Sequence, residues 1–145
     1  MPKERFKIIP VSLLILIKDG NILLSRRFNT GHEDGNYGVV SGHLDGNETF
    51  MEAMAREAKE EAGIDIAAKD LEVAHVMHRK SPPDERIDFY IRANNWQGEP
   101  KIMEPNKCDD LKWFSIDNLP ANTIPYIRQA IEKIRKKIFY SEFGW

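Results

Sequence analysis

The chain has 145 residues, 41% of them apolar and 30% charged, with a net charge of −2. That is enough for one domain with a buried core, so residues 1–145 read as a single domain. The balance excludes a global basic field for a nucleic acid polymer and is too mildly acidic to define a partner. One cysteine, Cys108, excludes an internal disulfide and fits a reducing compartment, so a cytoplasmic protein is expected.

The N-terminus pairs basic residues with an apolar run, a pattern shared with signal peptides. The run from Val11 to Ile17 is short, no small-residue cleavage site follows, and Asp19-Gly20 turns the chain into a second apolar run. A β-hairpin is expected instead, with strands near Val11–Ile17 and Ile22–Arg26. Phe28–Gly38 is polar and turn-rich, an exposed loop, and Val39-Val40 is a short strand leading into Gly42. A helix follows from about Phe50 to Ala62, with Thr49 as N-cap, Glu52 closing a capping box and Gly63 as the stop. "LEVAHVMHRK" and "RIDFYIRANN" are strands separated by "SPPDE". Trp96–Asp110 is a long loop, and "LKWFSI" is a late strand. Ile124–Phe139 has helical periodicity, and the basic, aromatic C-terminus reads as a solvated helix end. The fold class is therefore α/β, with a mixed β-sheet between helices. No segment is long enough to span a bilayer.

The first helix carries the chemical signal. At roughly 100° per residue, Met51, Met54, Ala55, Ala58 and Ala62 form the buried stripe, while Glu57, Glu60 and Glu61 share a face beside it. Arg56 and Lys59 point elsewhere, and Glu48 can fold back toward the carboxylates. Three acids this close repel. One reading is a solvated helix face with Glu52 and Arg56 as an ordinary i, i+4 pair. The other is a site for Mg²⁺ or Mn²⁺, hard cations that prefer oxygen ligands. Arg56 would then orient a carboxylate, with Glu48 as its partner.

The stretch from Gly42 to Ile64 resembles the Nudix box. Gly42, Glu48, Arg56, Glu57, Ala58, Glu60, Glu61, Gly63 and Ile64 fall at the family's fixed positions. Ala58 stands where a larger aliphatic is more usual, and Val40-Ser41-Gly42 replaces the Pro-Gly-Gly of many MutT-like members. The resemblance implies a Nudix α/β/α sandwich. It also implies an enzyme that hydrolyses a nucleoside diphosphate linked to a group X. Glu57, Glu60 and Glu61, with the Ser41 backbone carbonyl, would hold Mg²⁺. Arg56 and Glu48 would orient the ligands, and Glu61, Glu57 or an acid outside the box would serve as general base. Gly42 and Gly63 are structural members of the motif.

Outside the box, "LLSRRF" is similar to the strand-end arginines of MutT-like enzymes, which makes Arg26 and Arg27 candidates for substrate phosphate; the alternative is a surface ion pair. Asn122 in "PAN" sits where such enzymes contact the base, or else caps the next helix. Trp113 either flanks a base or fills core. Glu104, Asp109 and Asp110 lie in or beside a loop able to fold over the site, where one could add a metal ligand or general base; the alternative for each is a solvated loop acid. His43 can approach phosphate, His75 and His78 read as strand residues, and Cys108 lacks the histidine a nucleophile needs. The expected substrate is a small-molecule nucleotide, foremost a nucleoside triphosphate that includes modified purines. ADP-ribose, a nucleotide sugar or a dinucleoside polyphosphate is the alternative, and a non-catalytic Nudix-fold binding module the third. A monomer or homodimer is expected, with no nucleic acid polymer and no membrane as partner.

Overall fold

The computed structural model describes residues 3–145. Two sheets and two helices make up the architecture. The first strand, β1 (Ile9–Ile15), is buried on both faces, which is why its sequence is an almost unbroken apolar run. It lies inside a five-stranded mixed sheet. It pairs antiparallel with β5 (Ser41–His43) and parallel with β7 (Asp84–Ala93). Beyond β7 come β6 (Leu71–Ser81), antiparallel, and β9 (Tyr140–Phe143), parallel to β6.

The expected hairpin is only half as long as its apolar pattern. At Leu16 the chain leaves the first sheet, and β2 (Ile17–Lys18) turns into β3 (Asn21–Arg27) through Asp19 and Gly20, both at positive φ. Strand β3 then pairs with β4 (Tyr37–Gly38) and β8 (Cys108–Ser115) to form a second sheet. One apolar run thus feeds two sheets, because both faces of both sheets need covering and hydropathy cannot show where the chain crosses. Val39-Val40 is not a strand. These buried residues bridge β4 and β5, with the Val40 carbonyl accepting from the Leu14 N–H at 2.8 Å. Strand β8 begins three residues before the expected Leu111.

Helix α1 (Phe50–Ala62) spans the expected residues, with the Thr49–Glu52 capping box formed and Gly63 left-handed at φ 69°. It buries Ala53, Met54, Ala58 and Ala62 against Leu14, Leu16 and Ile91 on one face of the five-stranded sheet. Met51 and Ala55 are only half-buried. Helix α2 (Pro125–Arg135) covers the opposite face, where Ile127, Ala130 and Ile131 pack on Leu13, Ile15, Met77 and Tyr90. This is the expected α/β/α sandwich, with the second sheet closing one end.

The C-terminus departs from expectation. Helix α2 stops at Arg135 with Lys137 at φ 58°, a left-handed stop made without glycine, and the following residues form edge strand β9. His75 fastens this strand. Its fully buried ring lies 2.7 Å from the Ile138 carbonyl at Nδ1 and 2.7 Å from Ser141 Oγ at Nε2. A carbonyl only accepts, so Nδ1 carries the hydrogen and Nε2 accepts from the serine in a neutral ring. Burial pushes the His75 pKa below the ordinary 6.5. The unfolded chain therefore takes up this proton first. The stability due to neutral His75 is complete above pH 6.5 and is lost as pH falls from there through the folded-state pKa. Thermal melts between pH 7.5 and 5 should show a smaller acid-induced fall in Tm for His75→Gln than for the wild type. An identical fall would remove the ring from the account.

Candidate active site

Helix α1 aims its acids at the loop around β5. Its two caps fix where each turn falls, so Glu57 and Glu61, one turn apart, face Ser41 and Gly42. The Ser41 N–H donates to Glu61 Oε2 at 3.2 Å. Gly42 permits this approach, because an added Cβ would lie inside the Glu57 side chain, 2.7 Å from its Cγ.

The three glutamates are not equivalent. The Glu57 side chain is 12% exposed and that of Glu60 54%, so Glu60 stands at the rim. Arg56 does not point away from them, as helix periodicity suggested. Its long side chain curls back, with Nη1 2.9 Å from Glu57 Oε1 and 3.4 Å from Glu60 Oε2. The rest of the guanidinium forks onto Glu48, Nη2 to Oε1 at 2.8 Å and Nε to Oε2 at 3.1 Å, with Asp45 at 3.3 Å. The expected Arg56–Glu48 pair is therefore present and bidentate. A helical wheel places Cβ atoms and misses a guanidinium at the far end of a long side chain.

The electrostatics differ from acid to acid. Arg56, and then the Asp45 N–H, hold the Glu48 pKa below the usual carboxylate range. Burial raises Glu57 despite Arg56. Burial, and then the neighbouring Glu57 charge, push Glu61 up to about 8. Among the described residues no cationic side chain bonds to Glu61. Nor do three acid, histidine or cysteine groups there already converge as a ready cation cage. The donor chemistry nonetheless fits a hard divalent cation. Glu57 and Glu61 are half-buried and their like charges repel, Glu60 stands at the rim, and no soft ligand is among them.

Glu61 lies at the edge of a cleft of about 440 Å³ whose walls are cationic, including Arg26, Arg27, Arg79, Arg86 and Lys107. Arg26 bonds Asp109 at 2.7 Å and stands over the Tyr37 ring. Arg27 donates to the His32 carbonyl at 2.6 Å and has no carboxylate partner among the described residues. Both expected arginines thus reach the cleft. Glu104 also lines it, with Lys107 3.9 Å away, and its charge helps raise Glu61. Asp110 accepts from the Tyr37 hydroxyl.

Asn122 is elsewhere. Its side-chain amide donates to the Gly35 carbonyl at 2.8 Å and its backbone carbonyl accepts from the Tyr37 N–H, so it pins the loop between β3 and β4. It does not cap α2, whose N-cap is Ile124 with Pro125 next. Trp113 is core, stacked on Trp96. His75 and His78 are strand residues, as expected. The Cys108 thiol donates to the Asp110 carbonyl, and burial raises its pKa, away from a nucleophile's range.

Sequence reading missed the inner wall. Arg79 on β6 and Asp88 on β7 form a buried bidentate pair at 2.6 and 3.2 Å, with the Arg79 guanidinium 3.9 Å from the Tyr126 ring centroid. Period-two alternation offered the signal. Arg79 shares a face with Met77 and His75, and Asp88 shares one with Tyr90, so both charges fall at inward positions.

The NUDIX domain profile matches residues 8–134. The chain is 29% identical over 125 residues to the NAD-capped RNA hydrolase NudC of Shigella dysenteriae, covering 85% of this chain and 46% of the relative. It is 32% identical over 132 residues to NudC of Vibrio vulnificus, covering 88% and 47%. The chain thus spans about half the length of the curated relatives it matches. The crystal structure of a MutT NUDIX hydrolase from Burkholderia pseudomallei superposes with a TM-score of 0.80 at 27% identity, over 88% of this chain and 98% of that one. The profile match, the box helix and its carboxylates, and the sandwich that carries them agree: this chain belongs to the NUDIX family.

Proposed function

We propose that this protein is a Mg²⁺-dependent pyrophosphohydrolase that cleaves a nucleoside diphosphate linked to X, foremost a nucleoside triphosphate, to the monophosphate and pyrophosphate. The observation that carries this reading is Glu61, a half-buried carboxylate that feels the Glu57 charge and lines a cleft with five cationic side chains. Glu57, Glu60, Glu61 and the Ser41 carbonyl would hold Mg²⁺, with Mn²⁺ able to substitute. Such a cation, when bound, polarises phosphoryl oxygens and makes its water more acidic. Arg56 stays anchored by Glu48 when its contact to Glu57 is given up. Glu61 or Glu57 takes the proton of the attacking water on a carboxylate oxygen, and an elevated pKa suits that task near neutral pH. Arg27, and Arg26 on leaving Asp109, bind phosphate oxygens. Asn122 holds the loop that walls the cleft, and reaching a base requires it to leave Gly35.

A second reading follows from the NudC relatives, which are named for NAD-capped RNA: here X is the nucleoside half of NAD, free or at an RNA end. A screen of phosphate and nucleotide release with Mg²⁺ separates the two. The panel is canonical and modified NTPs, ADP-ribose, dinucleoside polyphosphates, NAD and NAD-capped RNA. The expected result is the highest kcat/KM for a triphosphate. Faster cleavage of NAD or capped RNA establishes the second reading, and no hydrolysis of any compound establishes a binding module. Among the described residues no helix is long and apolar enough to cross a membrane. A cytoplasmic monomer or homodimer completes the proposal.

A further inference from the structure

Two of the arginines lining the cleft already have carboxylate partners, Arg26 with Asp109 and Arg79 with Asp88. Arg86, on β7, is different. Its Nη1 lies 2.9 Å from His43 Nε2, and since arginine only donates, the histidine accepts and brings no negative charge. Among the described residues the one carboxylate within 4 Å of it is Asp84, at 3.9 Å and half exposed, since Asp88 on the same face of β7 is taken up by Arg79. Its Nε is buried with no hydrogen-bond partner. A guanidinium held at a wall by a neutral ring, with one N–H unsatisfied, is poorly explained as a stabilising feature. Arg27, also without a carboxylate, lines the same cleft from β3, and Glu61 lies at its edge. Arg86 was not among the candidates the sequence offered.

We propose that Arg86, oriented by His43, is a second phosphate-binding arm that selects substrates whose X group itself bears a phosphate. The planar fork suits phosphate oxygens, and its charge awaits a partner. This inference rests on the hydrolase reading above and narrows it, favouring nucleoside triphosphates and dinucleoside polyphosphates over NAD or ADP-ribose, whose X groups lack a further phosphate.

The test begins with inorganic tripolyphosphate, titrated calorimetrically into the full chain in EDTA, so that binding is read apart from hydrolysis. Arg86→Gln should weaken binding about tenfold, the scale of one charge-assisted hydrogen bond, and Arg86→Lys should recover part of the loss. Equal affinities for wild type and Arg86→Gln, or no binding to wild type, overturn the proposal. Loss of tripolyphosphate binding in a chain that hydrolyses nothing would leave this arm standing and remove the enzyme reading. In the active protein, Arg86→Gln should raise KM for a triphosphate about tenfold while kcat, and KM for NAD, hold. An equal rise in KM for NAD would overturn the selectivity. Tm unchanged from wild type shows that the effect is not unfolding.

Discussion

Glu61→Gln should lower kcat by about a thousandfold, the equivalent of about 4 kcal/mol of transition-state stabilisation, and should leave the fold more stable in the absence of divalent cation. The two halves share one cause. Gln is nearly isosteric and still accepts from the Ser41 N–H, so packing is kept while the ligand charge and the proton acceptor are lost. The stability gain follows from linkage. Folding raises the Glu61 pKa from 4.5 to about 8, so between those values the unfolded chain has released a proton that the folded chain still holds. Folding is therefore increasingly opposed as pH rises from 4.5 to about 8, a cost that Gln does not carry. Melts in EDTA should show the Gln variant ahead by a margin that grows across that window. Mg²⁺ or Mn²⁺ should raise the wild-type Tm and close the gap. Turnover near the wild-type rate in Glu61→Gln would end the catalytic assignment. A wild-type Tm indifferent to both cations would end the metal assignment.

Gly42→Ala should separate geometry from stability at the same site. The backbone there does not require glycine for its dihedral angles; the constraint is the approach of Glu57. A methyl group would overlap the Glu57 side chain, which is flexible and can swing aside at a stability cost within about 1 kcal/mol. The carboxylate then leaves its place beside Gly42 and Arg56. Displacement of a reacting group by about 1 Å costs roughly a hundredfold in rate, so activity should fall by that order while circular dichroism and Tm stay near wild type. Loss of the fold would show that Gly42 serves packing instead. Retained activity would show that Glu57 can act from a second position.

Sequence reading reached some parts of the molecule and missed others, for reasons visible in single residues. Helix α1 was legible to the residue because every signal for it is local. Thr49 and Glu52 satisfy the first free N–H groups, Gly63 supplies the left-handed stop, and small apolar residues recur at helical spacing. The fixed pattern from Gly42 to Ile64 then specified the family. Helix α2 was found but overextended, since its stop at Lys137 uses a residue that gives no warning. Strand β9 was missed because an edge strand that buries one side chain in four has almost no pattern of its own, and its partner β6 is some 60 residues away.

The sequence by itself determined the carboxylates and their helix, because those depend on spacing within one element, and the fixed motif positions added the family. Only the tertiary structure decided how far each is shielded from water, and so why the Glu61 pKa is raised and Glu60 stays at the rim. It alone brought Arg56 between the acids, set Asn122 on Gly35, and placed Arg79 and Arg86 in the lining of the cleft that the β3 arginines also enter. Burial and cross-strand contact are properties of packed faces, and strands far apart in the chain reveal them only once the sheets have formed.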